Sequence, residues 1–263
     1  MTHLISKFGA ATIAFIEATG HACFLLQEIV QTLFTYPLRC RQLLRQVLFC
    51  GIRSQGVVLI TGGFTGAVFT AQTLFQFREL GMASATGPVV AVAMCRELGP
   101  VLCALMVAGR VGSAIAAELS TMKLTEQLDA LRALAVYPTQ YLIVPRFLAL
   151  VLSMPLLVGL AMAIGILASW IVAVPVMEVD PTYYMHNMIK FTLVKNIWIG
   201  LTKALFFGMI IALVSIHKGL TAGHGAEGVG QATTQAAVHS SILVLVSNFF
   251  FSFLLNALFH SKT

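Results

Sequence analysis

Long apolar stretches constrain the fold of this chain more than any other feature of its sequence. About five of them reach or exceed the roughly 18 residues that mark a membrane-spanning helix. The chain is 58% hydrophobic and 10% charged, whereas a soluble domain carries about 25% charged residues. We therefore predict an all-α integral membrane protein with a single domain over residues 1–263. The expected spans cover approximately residues 57–77, 85–117, 143–174, 197–216 and 238–259.

The segment before the first span is apolar but interrupted by charge. Residues 1 to about 35 show a loose helical pattern, and they lack the basic start and the small-residue cleavage site of a secretory signal. We expect an interfacial helix here, within an N-terminal segment of residues 1–50 that precedes the core of residues 51–263. A sixth span is the alternative, although Glu17 and Glu28 are costly at bilayer depth.

Lysine and arginine are distributed unevenly between the predicted loops. With the N-terminus inside, most of them fall on the cytoplasmic side, as the positive-inside rule expects, and the C-terminus ends outside. The net charge of +6 is thereby explained without a nucleic-acid partner. The predicted cytoplasmic set is Lys7, Arg39, Arg41, Arg45, Arg53, Lys123, Arg132, Arg146 and Lys218, and the outer set is Arg78, Lys190, Lys195 and Lys262.

Ionisable residues inside a predicted span are the first candidate functional site. Arg96, Glu97 and Arg110 lie in the second span, and charge at that depth indicates function by default. Pro100 leaves the Arg96 carbonyl without its usual helical donor, next to a guanidinium. We expect this region to hold an anionic head group or water. An internal ion pair between Arg96 and a glutamate is an equally open interpretation.

A short helix between the second and third spans is the second candidate site. Leu124, Leu128, Leu131 and Ala135 share one helical face, while Glu126, Asp129 and Arg132 lie off it. The stretch is too short to cross a bilayer and ends at Pro138. It predicts a cytoplasmic surface helix that either docks a partner or only connects two spans.

Small residues at four-residue spacing indicate close helix packing. Gly62 and Gly66 lie in the first span, and the pairs Gly109 with Ser113 and Gly112 with Ala116 lie in the second. Such spacing lets backbones approach each other. Packing within one subunit is favoured here over a dedicated dimer contact.

Enzyme and metal motifs do not occur in the sequence. There is no G-x-x-x-x-G-K-[ST] loop, so any ATP hydrolysis must come from a separate protein. The five cysteines form no C-x-x-C pair, and His239 beside Ser240 lacks a G-x-S-x-G elbow. We therefore predict no catalytic residue, no metal site and no cofactor.

Two ordered blocks of short motifs stand out in the second half of the chain and just before it. The first block is RELGP (96–100), AGRVGSA (108–114), AEL (117–119), TEQLDA (125–130) and VYP (136–138), and the second is GQATT (230–234) with AVHSS (237–241). Together these blocks resemble the signature of the MlaE/YrbE permease family. The resemblance covers about residue 50 to the C-terminus, and Tyr137 departs from the aspartate that often precedes the proline in that family.

This resemblance implies a function and a set of partners. It implies an inner-membrane, homodimeric permease subunit that moves phospholipid between the inner and outer membranes. Its partners would be two cytoplasmic ABC ATPase subunits, a periplasmic MCE-domain protein and often a STAS-domain protein. The resemblance would make the helix over 124–135 a coupling helix, with contacts from Leu124, Glu126, Gln127, Leu128, Asp129 and Leu131. It would also make Arg96 and Glu97, together with Arg110, part of a lipid cavity.

Two other functional classes remain as alternatives from the sequence alone. One is a membrane-embedded enzyme that modifies lipids, and the other is a structural scaffold for the MCE-domain partner. Lipid turnover without an ATPase would indicate the enzyme, and ATP-dependent transfer that requires a partner would indicate the permease. A scaffold would show neither activity.

Overall fold

The fold follows from the apolar stretches, each of which forms a long helix. The computed structural model describes residues 20–21, 23–37 and 40–260, and within these residues all regular secondary structure is helical. Five helices are long and apolar enough to cross a membrane, which confirms the predicted all-α, multi-span architecture. In chain order the helices are α1 (Cys23–Thr35), α2 (Cys40–Cys50), α3 (Gln55–Glu79), α4 (Ala83–Leu124), α5 (Gln127–Ala133), α6 (Thr139–Val176), α7 (Pro181–Phe191), α8 (Val194–Leu220) and α9 (Gly225–His260).

The spanning helices α3, α4, α6, α8 and α9 run alternately up and down. Consequently α1, α2 and α5 lie at one end of the bundle, here called the α5 end, and α7 lies at the other, the α7 end. Several helices are longer than the sequence pattern predicted: α4 continues to Leu124, and α9 begins at Gly225 rather than near residue 238. Gly228 and Gly230, which precede the predicted start of the fifth span, are therefore helical.

Helices α6 and α8 form the centre of the bundle. Helix α6 packs against α2, α3 and α8, and α8 packs against α4, α6 and α9. Of the 18-residue apolar stretch that marks each span, 56% is buried inside the protein in α8 and 17% in α9. Helix α9 therefore presents a long apolar face outward, with Phe249, Phe250 and Phe253 among its exposed side chains.

Close backbone contact joins α3 to α6. A Cβ atom added at Gly62 would lie 2.9 Å from the carbonyl oxygen of Ala161, and one at Gly66 would overlap the backbone of Gly165. The four-residue glycine spacing of the first span is thus used for packing inside the subunit. Gly112 likewise faces Ser215 of α8 within the subunit.

Hydrogen bonds connect three helices near the α7 end. Thr70 of α3 donates to the hydroxyl of Ser169 in α6 at 2.8 Å, and Ser169 lies 2.6 Å from the hydroxyl of Tyr184 in α7. Tyr184 is fully buried, and this burial raises the pKa of its phenol more than the bond with Ser169 lowers it. Asp180 caps α7 by accepting from the backbone N–H groups of its first turn.

The N-terminal segment lies at the α5 end. The first part of the predicted interfacial helix, residues 1–19 with Glu17, lies outside the described residues, as do Arg39 and Lys262. Helix α1 buries Leu25 and Ile29 and leaves Phe24 exposed, and Glu28 accepts a hydrogen bond from Thr139 of α6 at 2.5 Å. Alone, α1 is too short to cross a bilayer.

Candidate functional site

A cluster of polar side chains lies within the bundle, where α4, α8 and α9 meet. Lys203 of α8 is fully buried, and its Nζ lies 2.8 Å from Oε1 of Glu97 in α4. The same ammonium donates to Oδ1 of Asn248 at 3.1 Å and to Oγ of Ser252 at 2.7 Å, both in α9. These four residues, called the Glu97 cluster below, join three helices through charged and polar contacts.

The carboxylate of Glu97, like the ammonium of Lys203, forms several hydrogen bonds within the cluster. Asn248 donates to Oε2 of Glu97 at 3.0 Å, and the Ser252 hydroxyl lies 2.9 Å from Oε1. Lys203 has no exposed surface, whereas the Glu97 side chain is 41% exposed, so the ammonium is the charge whose lost hydration must be replaced by hydrogen bonds. The asparagine and the serine supply these bonds.

An irregular turn of α4 brings the backbone into the cluster. Residues 94–98 form a π-helical turn that ends just before Pro100, in which the N–H of Gly99 donates to the carbonyl of Met94. Pro100 has no N–H to donate to the Arg96 carbonyl in the usual α-helical pattern, and Lys203 donates to this carbonyl instead, at 3.0 Å. The expected loss of the helical donor is therefore compensated by a lysine of another helix.

Lys203 belongs to this cluster but was not singled out from the sequence. It lies in the apolar part of a helix of 27 residues whose other two lysines, Lys195 and Lys218, lie near its ends, and a charge at this depth is itself a signal of function. The sequence-based prediction of intramembrane charge named residues of the second span only.

The guanidinium of Arg96 lies beside the Glu97 cluster but is not bonded into it. Arg96 is half-buried, and no hydrogen bond or ion pair joins its side chain to the described part of the chain. Glu97 is paired with Lys203 and Glu118 with Arg146, so the proposed internal pair between Arg96 and a glutamate is not formed. Two cations and one carboxylate share this region, and one positive charge remains without a counter-ion.

Arg110 lies apart from the cluster. It belongs to a second π-helical turn over residues 108–112, is exposed, and donates to the hydroxyl of Ser54 at 2.8 Å, just before α3. Each π turn accommodates an extra residue relative to an α-helix. Regular α-helical spacing therefore does not relate Arg96 to Arg110, and only Arg110 has a side-chain partner among the described residues.

The short helix between the second and third spans is present but differs in extent from the prediction. Helix α5 has 7 residues, Gln127–Ala133, because Leu124 is the last residue of α4 and Glu126 adopts a left-handed conformation with φ 56°. Leu128 is buried and Leu131 half-buried, whereas Leu124 and Ala135 are exposed. The expected apolar face is thus reduced to two leucines.

The polar side of this region faces outward. Glu126, Gln127 and Asp129 are exposed, and Asp129 forms an ion pair with Arg132 at 2.9 Å.

In the part of the chain that the structure describes, no group of three histidine, cysteine or acidic side chains could hold a metal ion.

Comparison with known proteins gives consistent matches over most of the chain. A family model described as "Permease MlaE" matches residues 43–254. A "Probable ABC transporter permease protein" of Rickettsia felis is 39% identical over 249 residues, which is 95% of this chain and 96% of that protein. The "Intermembrane phospholipid transport system permease protein MlaE" of Haemophilus influenzae is 36% identical over 95% of this chain and 96% of its own.

The similarity extends to a plant protein. "Protein TRIGALACTOSYLDIACYLGLYCEROL 1, chloroplastic" of Arabidopsis thaliana is 36% identical over 225 residues, covering 86% of this chain and 64% of that protein.

Proposed function

Because the chain belongs to the MlaE permease family, we propose that it is the membrane subunit of an ABC-type system that moves phospholipid between the inner and outer membranes. As a permease subunit it is a non-catalytic component of a transport system. The observation that carries the lipid assignment is the Arg96 guanidinium, half-buried beside the Glu97 cluster and without an acidic partner among the described residues.

The chemistry of Arg96 fits the phosphate of a phospholipid. A guanidinium offers several N–H donors in a planar arrangement that matches two phosphate oxygens. Lys203 neutralises Glu97, so a phosphate that approaches Arg96 meets no free carboxylate in the cluster. Glu97 then supports the lipid site as the counter-ion of Lys203, and Arg110 would contact lipid separately, further along α4 toward the α5 end.

Energy for transport is supplied from the α5 end, which we assign to the cytoplasm of an inner-membrane protein. An ABC permease works with a separate ATPase, and the exposed polar surface around α5 is the proposed contact. Leu128 and Leu131 anchor this helix to the bundle, so force applied to its polar side is transmitted to α4 and α6. The proposed coupling residues remain Leu124, Glu126, Gln127, Leu128, Asp129 and Leu131.

The full system is proposed to contain two copies of this chain and an MCE-domain protein on the outer side, with a STAS-domain protein as a further component. The exposed apolar face of α9 offers surface for a second copy or for lipid. The C-terminus, after α9, would lie in the periplasm.

Reconstitution tests this function directly. The chain is purified with its ATPase and MCE-domain partners, placed in liposomes containing a fluorescent phospholipid, and assayed for transfer to acceptor liposomes with and without ATP. We expect transfer that requires ATP and stops with a hydrolysis-deficient ATPase. Lipid turnover without ATPase would contradict the permease assignment, and a complex that assembles without transfer would indicate a scaffold.

A further inference from the structure

A cavity of about 380 Å³ lies at the α5 end, between α1, α5 and the beginning of α6. Its volume is within the range of roughly 300–1,000 Å³ that small-molecule pockets occupy. An apolar cavity takes up apolar molecules in preference to water, so the interior suits a hydrocarbon. The aliphatic residues that line it come from five helices and are Leu25 of α1, Leu119 of α4, Leu128 of α5, Leu142 and Ile143 of α6, and Leu220 of α8.

Helix α1 covers the cavity and is attached on both sides of it. His21, Leu25 and Glu28 share one face of the helix. The ring of His21 lies 6.0 Å from the ring of His217 in α8, and Glu28 accepts a hydrogen bond from Thr139 of α6 at 2.5 Å. Leu25 lies between these two contacts and lines the cavity. Polar contacts therefore hold α1 in place above an apolar space.

The mouth of the cavity carries one charge of each sign. Among the described residues that line it, Glu28 is the one carboxylate and Arg132 the one cation, and both are exposed. Arg132 is paired with Asp129 of its own helix, and exposed pairs of this kind are weak, so both charges are available to a ligand. Opposite charges side by side are complementary to a zwitterionic head group, with the ammonium at Glu28 and the phosphate at Arg132.

The outer face of α1 indicates where such a ligand comes from. Phe24 is 72% exposed and Phe34 85% exposed, as in a helix that lies in the interface of a membrane. The cavity is on the opposite face of the same helix. A lipid chain from that leaflet therefore enters beneath α1 and leaves its head group at the mouth. The volume is near the lower end of the range for ligand pockets, so it holds one chain rather than two.

We propose that this cavity binds one hydrocarbon chain of a lipid with a phosphoethanolamine head group. The chain belongs either to a lysophospholipid or to a two-chain phospholipid whose second chain stays in the membrane. Because Leu128 and Arg132 belong to α5, a bound chain links α1, α5 and α6 at the proposed ATPase contact. The site is separate from the lipid contact proposed at Arg96, and binding in it does not require transport.

Photolabelling tests where the chain lies. The full chain is placed in phosphatidylglycerol liposomes, whose lipids lack the ammonium that Glu28 would bind, together with a lysophosphatidylethanolamine that carries a diazirine near the end of its chain. Peptide mass spectrometry then locates the labelled residues. We expect labelling of the buried Leu128 to exceed that of Leu134, which is 74% exposed just after α5, by about tenfold. Equal labelling of both residues would place the chain on the surface and overturn the site.

Filling the cavity gives the matched comparison. Leu142→Trp should reduce labelling of Leu128 about tenfold, because the indole occupies the space that the chain needs. Leu152→Trp, the same change in the same helix at an exposed position, should leave labelling unchanged. Leu25→Trp fills the cavity from α1, and thermal unfolding shows which of the two filling variants is folded. Unchanged labelling in a folded filling variant would overturn the proposal.

Competition with unlabelled molecules tests the head group. The concentration of lysophosphatidylethanolamine that halves the labelling should rise about fivefold in Glu28→Gln, which loses the charge that meets the ammonium. Glu227→Gln removes the same charge at the α5 end from a residue that does not line the cavity, and an equal effect there would overturn the contact at Glu28. Palmitate, which has a chain but no ammonium, should compete about tenfold less well, and equal competition would overturn the head-group assignment.

A last competitor separates the two sources of the chain. Dipalmitoyl phosphatidylethanolamine that competes as well as the single-chain lipid assigns the bound chain to a phospholipid of the membrane. Weaker competition assigns it to a lysophospholipid. Both results uphold the site, and no competition by either lipid would overturn it.

Discussion

The ammonium of Lys203 lies 2.8 Å from the carboxylate of Glu97, within the spanning part of the bundle. Asn248 and Ser252 complete this pair from α9. The contact therefore holds α9 to α4 and α8 by polar groups, although α9 buries a smaller share of its surface than the other spans. Each partner depends on the others, since a single charge left at this depth has no water to solvate it.

Removing the cation of this pair should destabilise the subunit. Lys203→Met leaves the Glu97 carboxylate with only Asn248 and Ser252 as partners, and because the Glu97 side chain is 41% exposed the cost should fall below the roughly 3–5 kcal/mol of breaking a fully buried pair. Thermal unfolding in detergent should show a marked fall in melting temperature. The double variant Lys203→Met with Glu97→Gln should recover most of it, and a double variant as unstable as the single one would contradict the pairing.

Arg96 should affect lipid contact more than folding. Because its guanidinium is bonded to no described residue, Arg96→Ala should reduce crosslinking to a photoactivatable phospholipid and reduce transport, while the ATPase complex still assembles. Arg96→Lys should restore part of the signal, since it keeps the charge and loses the planar arrangement of donors. If Arg96→Ala instead unfolds the subunit as readily as Lys203→Met does, Arg96 has a structural role.

The polar surface around α5 should determine binding of the ATPase. Glu126→Lys reverses an exposed charge, and we expect weaker co-purification of the ATPase and lower lipid-stimulated ATP hydrolysis. Glu227→Lys is the matched control, because it makes the same change at the α5 end in the first turn of α9. Equal binding by both variants and the unmodified chain would leave α5 as a connector.

The contact between α3 and α6 should tolerate no side chain at Gly66. A methyl group there overlaps the backbone of Gly165, which cannot move aside as a flexible side chain can. Gly66→Ala should therefore destabilise the subunit by about 1–3 kcal/mol, measured as a lower melting temperature. Gly56→Ala, in the same helix with open space around its Cβ position, should leave the melting temperature unchanged or raise it.

The two ends of the bundle should label from opposite sides of the membrane. A cysteine at Thr125 reports the α5 end and one at Tyr183 reports the α7 end, in a background where the exposed Cys23 and Cys40 are serine. With the N-terminus inside, an impermeant thiol reagent added to intact cells should label position 183 only. Labelling of both positions from one side would overturn the assigned topology.

The sequence was sufficient to predict the helices but not all of their contacts. Apolar length determines which segments span, so the five spans were predicted correctly, and the two motif blocks were sufficient to predict the family. Helices α4 and α9 are longer than predicted, because polar residues such as Lys123 and Gln231 continue each helix beyond its apolar region. Glu126 adopts the left-handed conformation that separates α4 from α5. Because this position is not a glycine, the sequence does not indicate the break.

The partners of charged residues could not be predicted from position along one helix. Glu97 and Lys203 are distant in the chain, and their pairing depends on how α4 and α8 pack. Arg96 and Arg110 lie in π-helical turns at residues 94–98 and 108–112. An ideal helical wheel assumes a regular α-helix, so it does not predict the positions of residues in such turns. The coupling role of α5 and the lipid contact of Arg96 stay predictions until they are measured.

The overlap that a side chain would create at Gly66 also has a mechanical consequence. Helices α3 and α6 meet backbone to backbone, so they cannot slide or separate without losing that contact, and they form the stiff side of the subunit. Helix α9 packs against α8 and α4 but buries the smallest share of its residues among the described spans, so it forms the more compliant side. Motion of the ATPase that is transmitted through α5 is therefore expected to displace α9 relative to α3 and α6, which stay fixed to each other.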